Sequence, residues 1–150
     1  DEIGFKKGFL KMKIAVVYWS STGNTEAMAQ AVVEGAKHAG AEAELFTAAE
    51  FDGGKMDEFD AVAFGCPAMG AEELEDGEFA PMFETCESKL SGKKIALFGS
   101  YGWGDGEWMR TWEENCRDKG ANLVCDSVIC QETPDDEALS ACRSLGEALA

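Results

Sequence analysis

The chain has 150 residues, 45% of them apolar, and a net charge of −16, which suits one compact domain with a sizeable core. Nucleic acid and anionic membrane are disfavoured as partners, since both are polyanions, and no apolar run approaches the ~20 residues of a membrane span. Six cysteines with no C-x-x-C pair, beside a single His38, argue for reduced thiols in a cytoplasm and against a structural zinc site.

The opening DEIGFKKGFLK carries neither the apolar segment nor the small-residue cleavage site of a secretory leader. MKIAVVYW then reads as a self-sufficient start. Residues 1–11 are accordingly read as an N-terminal extension or expression remnant, and 12–150 as the domain.

Lys13 to Trp19 is a continuous apolar run, the pattern of a central strand buried on both faces. SSTGNT, Ser20 to Thr25, follows it and opens a helical stretch from Glu26 to Ala39, with Met28, Val32, Ala36 and Ala39 on one stripe and Gly40 placed to end it. Glu42 to Phe46 alternates weakly, as an edge strand does. Ala61 to Cys66 is a second buried strand, and Phe79, Phe83, Cys86 and Leu90 mark the next helix, with Pro81 in its first turn.

Lys94 to Gly99 is a third buried strand, and Trp108, Trp112 and Cys116 recur at helical spacing before Gly120. Asn122 to Ile129 is the last strand. Thr133-Pro134-Asp135-Asp136 reads as a helix opening with Thr133 as cap and Pro134 in the first position, ahead of the stripe Leu139, Cys142, Leu145 and Leu149. Five strands alternating with four helices predict an α/β domain, a doubly wound parallel sheet covered on both faces.

In such a sheet ligands bind outside the carboxyl ends of the strands, where strand order reverses. Three loops there have unusual composition: SSTGNT, PAMGAEELEDG and SYGWGDG. SSTGNT fits either an ordinary capped turn or an anion seat built from the free amides and positive dipole end of a helix. No Lys or Arg occurs from Ile14 to Ala36, so an anion here is held by amides and hydroxyls alone. Neither an ATP-type P-loop nor the dinucleotide fingerprint is present. Met69 in the second loop, with Tyr101 and Trp103 in the third, stand beside glycines that leave room for a flat aromatic ligand.

These segments together resemble the flavodoxins, in particular the short-chain, clostridial type of anaerobic bacteria, in register from about Met12 to Ala150. The resemblance, rather than the hydrophobic pattern, implies the strand order 2-1-3-4-5, which is that of the flavodoxin fold. It implies a non-covalently bound FMN, with Ser20, Ser21, Thr22, Gly23, Asn24 and Thr25 on its phosphate. Met69 and Trp103 flank the isoalloxazine ring, Glu72 accepts from N3, Gly70 occupies the turn near N5, and Gln131 lines the ring's other edge. Pro67, Ala68, Ala71, Ser100, Tyr101, Gly102, Gly104 and Asp105 complete the second and third loops. Ala71 stands where many relatives have Asp or Ser, and Pro67 where some have a Ser that touches phosphate.

The implied function is a low-potential one-electron carrier, not an enzyme, that alternates between the singly and doubly reduced flavin and reduces partner proteins. Gly70 is expected because the alternative turn types need φ > 0 at a central position. Asp57 to Ser88 holds ten carboxylates and no Lys or Arg, a surface expected to disfavour the anionic reduced flavin and to dock basic-surfaced reductases or ferredoxin-dependent enzymes on a monomer. Two other readings stay open: a flavin reductase that oxidises a nicotinamide cofactor, and a flavin-free regulatory domain. Short loops and negative surface weigh against the first. Against the second, Trp19, Cys66 and Ser100 stand near the strand ends where a receiver domain needs Asp.

Overall fold

The computed structural model describes residues 11–150, so the expected N-terminal extension lies, except for Lys11, outside the described residues. The strands are β1 (Lys13–Tyr18), β2 (Glu42–Thr47), β3 (Ala61–Gly65), β4 (Lys94–Tyr101), β5 (Asn122–Leu123) and β6 (Val128–Gln131). The helices are α1 (Asn24–His38), the single turn α2 (Gly53–Met56), α3 (Phe79–Cys86), α4 (Glu107–Asp118) and α5 (Asp136–Leu149). All strand pairs are parallel, in the order β2-β1-β3-β4-β5, with β6 also on β4.

Because side chains alternate along a strand, each central strand feeds two cores. Ile14, Val16, Ala61, Ala63, Ala96 and Phe98 pack under α1 and α5, while Ala15, Val17, Val62, Phe64, Ile95 and Leu97 pack under α3 and α4. The helix stripes named from sequence fill these cores, except for Ala39, which is exposed as the residue that follows the end of α1. Met28, Val32, Ala36, Phe79, Phe83, Trp108, Trp112, Cys116, Cys142, Leu145 and Leu149 are all buried. Burying one such large apolar side chain is worth about 1.5–3 kcal/mol.

α1 and α5 approach closely because glycines face backbone across the crossing. A Cβ on Gly35 would collide with the carbonyl of Arg143, and one on Gly146 with that of Val32. α1 ends as its sequence directs. Gly40 takes φ 96°, its amide bonds Lys37 O, and Ala41 N bonds Ala36 O, which closes the helix with a left-handed cap. Gly120 ends α4 in the same way, with its own amide on Arg117 O and Ala121 N on Cys116 O.

Two departures from the sequence reading lie toward the C-terminus. The last strand is broken into β5 and β6, and its register on β4 slips by two residues, from Lys94↔Asn122 to Phe98↔Val128. In the intervening stretch the Ser127 hydroxyl donates to Glu113 of α4 instead of continuing the ladder. The cap of α5 is Asp135, whose Oδ1 accepts from Ala138 N at 2.8 Å, and not Thr133. An ionised carboxylate is the stronger acceptor for a first-turn amide, and Thr133 is left in the preceding loop.

Candidate functional site

The strand order reverses between β2-β1 and β3-β4, so the loops after β1 and β3 part and leave a crevice at the carboxyl edge. A cleft of about 450 Å³ lies there. The first loop contributes Ser21, Thr22 and Asn24, and the second Pro67, Ala68, Met69 and Gly70. Ser100, Tyr101 and Gly102 come from the end of β4, and Glu132 and Thr133 from the loop after β6.

SSTGNT is a helix N-terminus built without a side-chain cap. Gly23, at φ 93°, is the N-cap and has no side chain to cap with; its carbonyl accepts from Ala27 N at 3.0 Å, and Asn24 N, in the first turn, makes a long bond to Thr22 Oγ1 at 3.4 Å. A Cβ at Gly23 would meet nothing within 4 Å, so its left-handed φ is what calls for glycine. Ser20 Oγ accepts from Gly23 N at 3.1 Å, which fixes the loop while leaving the Ser20 hydroxyl hydrogen free to donate. Helix α1 starts at Asn24, two residues before the sequence reading, so the first-turn amides sit inside the motif itself.

Thr25 behaves differently from its neighbours. It is 1% exposed, and its hydroxyl lies 3.0 Å from the Ser100 hydroxyl, tying α1 to β4 beneath the cleft. Its side chain is occupied by the fold, and what it offers the cleft is its amide. Among the described residues, no Lys, Arg or His lines the cleft.

The second loop is a turn closed by Glu72 N donating to Met69 O at 2.9 Å, with Met69 N donating to Glu73 O at 3.0 Å. Gly70 does not take a left-handed φ, and a Cβ there would meet nothing within 4 Å. The expected φ > 0 falls instead on Glu72, at 56°. That conformation carries the Glu72 carboxylate against Gly104, where a Cβ would stand 2.6 Å from Oε1. Gly104 itself has φ 90°. The two loops therefore meet through Glu72 and the bare α-carbon of Gly104.

Trp103 is 68% exposed and, with Ala71, Gly104 and Asp105, stands outside the cleft lining. Asp105 pairs with Arg110 at 3.0 Å, so its charge is partly met. Tyr101 does line the cleft, with its ring 5.6 Å from that of Trp108. Trp108 Nε1 donates to Cys66 O at 3.1 Å, tying the start of α4 to the end of β3.

Glu75, one of the acidic run, is not a free surface charge. It is 8% exposed, and its carboxylate accepts from the amides of Gly77, Glu78 and Phe79 at 2.7–2.8 Å, capping α3 from outside. Burial pushes its carboxyl up, but the three amides outweigh that and hold it below the ordinary value.

Gln131 stands beside the cleft, with its Nε2 donating to Gly102 O at 3.1 Å. Glu132 and Thr133 were missed by the sequence reading. Thr133 had been assigned to the helix cap, and nothing local marks Glu132, which reaches the cleft because its amide donates to Tyr101 O at 2.8 Å.

The family model described as Flavodoxin matches residues 16–146. The chain belongs to the flavodoxin family. It is 45% identical over 140 residues to the flavodoxin of Megasphaera elsdenii, covering 91% of this chain and 98% of that protein. With the flavodoxin of Clostridium beijerinckii it shares 43% over 135 residues, 90% and 97% of the two chains. The solution structure of the two-electron reduced Megasphaera elsdenii flavodoxin superposes with a TM-score of 0.83 at 45% identity, covering 91% of this chain and 97% of that one. As a flavodoxin of the short-chain clostridial type the protein binds FMN and carries electrons to redox partner proteins, and it is an electron-transfer protein, not a catalytic enzyme.

The cleft fits that cofactor. An uncapped helix start among hydroxyls suits a phosphate monoester, and about 450 Å³ is within the range of sites for ligands of this kind.

Proposed function

We propose that FMN lies with its phosphate on Ser20–Thr25 and its ring between the second and third loops. The observation that carries this is the first turn of α1, which starts at Gly23 with no side-chain cap and opens on the cleft through Ser21, Thr22 and Asn24. Ser21, Thr22 and Asn24 donate to the phosphate, the amides of Asn24 and Thr25 add to them, Ser20 and Gly23 shape the loop through the Gly23 N to Ser20 Oγ bond, and Pro67 and Ala68 wall the middle of the cleft. Met69 covers one ring face and Trp103 the other, which removes Trp103 from the solvent it now meets. Glu72, already turned toward the third loop, accepts from the ring's N3–H. Gln131 closes the remaining edge.

Bound FMN supplies one-electron redox chemistry. The chain positions the ring, excludes water and manages one proton. With FMN held in this way, the Gly70 carbonyl would be the chain's hydrogen-bond acceptor at the N5 edge of the ring, reached by rotation of the Gly70–Ala71 peptide. That rotation needs φ > 0 at a central turn residue, which Gly70 supplies at little cost.

The carrier works at low potential and meets basic-surfaced partners as a monomer in the cytoplasm. Supporting this are the carboxylate-rich stretch, the three Lys and Arg ion pairs among the described residues, which engage only Glu34, Asp57 and Asp105, and six free thiols.

The test is apoprotein titrated with FMN and with riboflavin, which lacks the phosphate. FMN should bind at least about a hundredfold more tightly, since each charge-assisted hydrogen bond contributes about 1.5–3 kcal/mol. Ser21→Ala, Thr22→Ala and Asn24→Ala should each narrow the gap. Equal affinity for the two flavins overturns the placement of the phosphate.

A further inference from the structure

Among the residues that line the cleft, Glu132 alone carries a charged side chain. Its backbone is also unusual. At φ 58° it is one of two non-glycine residues in the left-handed region among those described, the other being Glu72. An L-residue held there costs on the order of 1 kcal/mol and persists only where its surroundings fix it.

Three contacts fix it here. Glu132 N donates to Tyr101 O at 2.8 Å, the Gln131 side chain donates to Gly102 O at 3.1 Å, and the Cys130 thiol donates to Glu132 O at 3.7 Å. None of the ion pairs among the described residues includes Glu132, and Arg110, at the start of α4 beside the third loop, is taken by Asp105.

We propose that Glu132 is a potential-setting residue, which presents an uncompensated carboxylate to the cofactor from the fourth wall of the cleft. This rests on the placement of FMN given above. The oxidised ring is neutral and the fully reduced ring is anionic, so a fixed carboxylate beside it weakens binding of the reduced form more than of the oxidised form. By the cycle linking binding to reduction, the same difference lowers the potential of the second electron.

The test uses Glu132→Gln, which removes the charge and keeps the strained backbone, and Glu132→Gly, which removes both. Dissociation constants of each apoprotein are measured for oxidised FMN, and anaerobically for fully reduced FMN, with thermal unfolding of the apoproteins in parallel. Both variants should bind reduced FMN about tenfold more tightly relative to oxidised FMN than the unmodified chain does. The glycine variant should also unfold at higher temperature.

An unchanged ratio in Glu132→Gln, with FMN still bound, overturns the proposal. A shift confined to Glu132→Gly overturns it as well, because loop conformation and not charge would then be responsible. If the unmodified apoprotein binds no FMN, the placement of the cofactor fails, and the inference with it.

Discussion

The hydroxyls of Thr25 and Ser100 lie 3.0 Å apart, both almost wholly buried, and join the start of α1 to the end of β4. This single bond sets the depth of the SSTGNT loop against the third loop. Removing one partner leaves the other hydroxyl buried and unpaired, at a cost of about 1–3 kcal/mol, whereas removing both leaves no orphan. Thr25→Val and Ser100→Ala should therefore each destabilise more than half as much as the double variant. Urea unfolding of the four proteins reads the coupling, and strict additivity would show that the bond has no energetic role.

Glu75 gives the protein an acid-sensitive helix start. Burial raises its carboxyl and the amides of Gly77, Glu78 and Phe79 lower it further, so the folded value lies below the ordinary 4.5. A depressed carboxyl contributes stability that is full above the unfolded value and is lost as pH falls through the folded one. Glu75→Gln should cost about 2 kcal/mol near neutrality, and the gap from the unmodified chain should close below the ordinary carboxylate range. A gap that stays constant on acidification contradicts the assignment.

The glycines of the α1–α5 crossing and of the second loop should respond in opposite ways. Gly35→Ala and Gly146→Ala drive a methyl into backbone carbonyls and should each cost about 3 kcal/mol. Gly70→Ala meets open space without a left-handed φ, so apoprotein stability should change by less than about 0.5 kcal/mol. Gly70→Val should likewise spare FMN affinity while lowering the yield of singly reduced flavin in a redox titration, because the flipped turn excludes a branched side chain. Equal yields would remove the proton-accepting role of the Gly70 carbonyl.

Burial pushes the thiols of Cys66, Cys116 and Cys142 up to about 12, and that of Cys86 to about 11. Thiolate is the reacting form, so these four should resist alkylation of the folded protein. Cys125 and Cys130, only partly buried, should be modified first. Peptide mapping after limited alkylation distinguishes the two sets.

Partner reduction should slow as salt rises, since unpaired surface carboxylates steer basic partners by fields that ions screen. A stopped-flow rate indifferent to ionic strength would leave the acidic surface without a docking role.

The sequence by itself determined the layered fold. Val16, Phe64 and Leu97 stand in runs too apolar for anything but strands buried on both faces, and Met28, Val32 and Ala36 or Trp108, Trp112 and Cys116 recur at the spacing of one helix face. Gly40 and Gly120 announced the caps that close α1 and α4, and the three loops that wall the cleft were legible because glycine, hydroxyl and aromatic residues cluster where strands end. These are local signals, written within a few residues of the feature they control.

Tertiary structure decided the rest. Thr25 faces Ser100 because a hydroxyl so close to the sheet has no water to bond, and Glu75 turns inward because three amides of α3 await an acceptor. The last strand breaks because register on β4 depends on pairing across the sheet and not on the apolar run alone. Glu132 enters the cleft only because Tyr101, distant in sequence, offers the carbonyl that holds it there. A contact between residues far apart in the chain leaves no periodicity behind, so packing, and not pattern, placed Glu132 on the wall of the cleft.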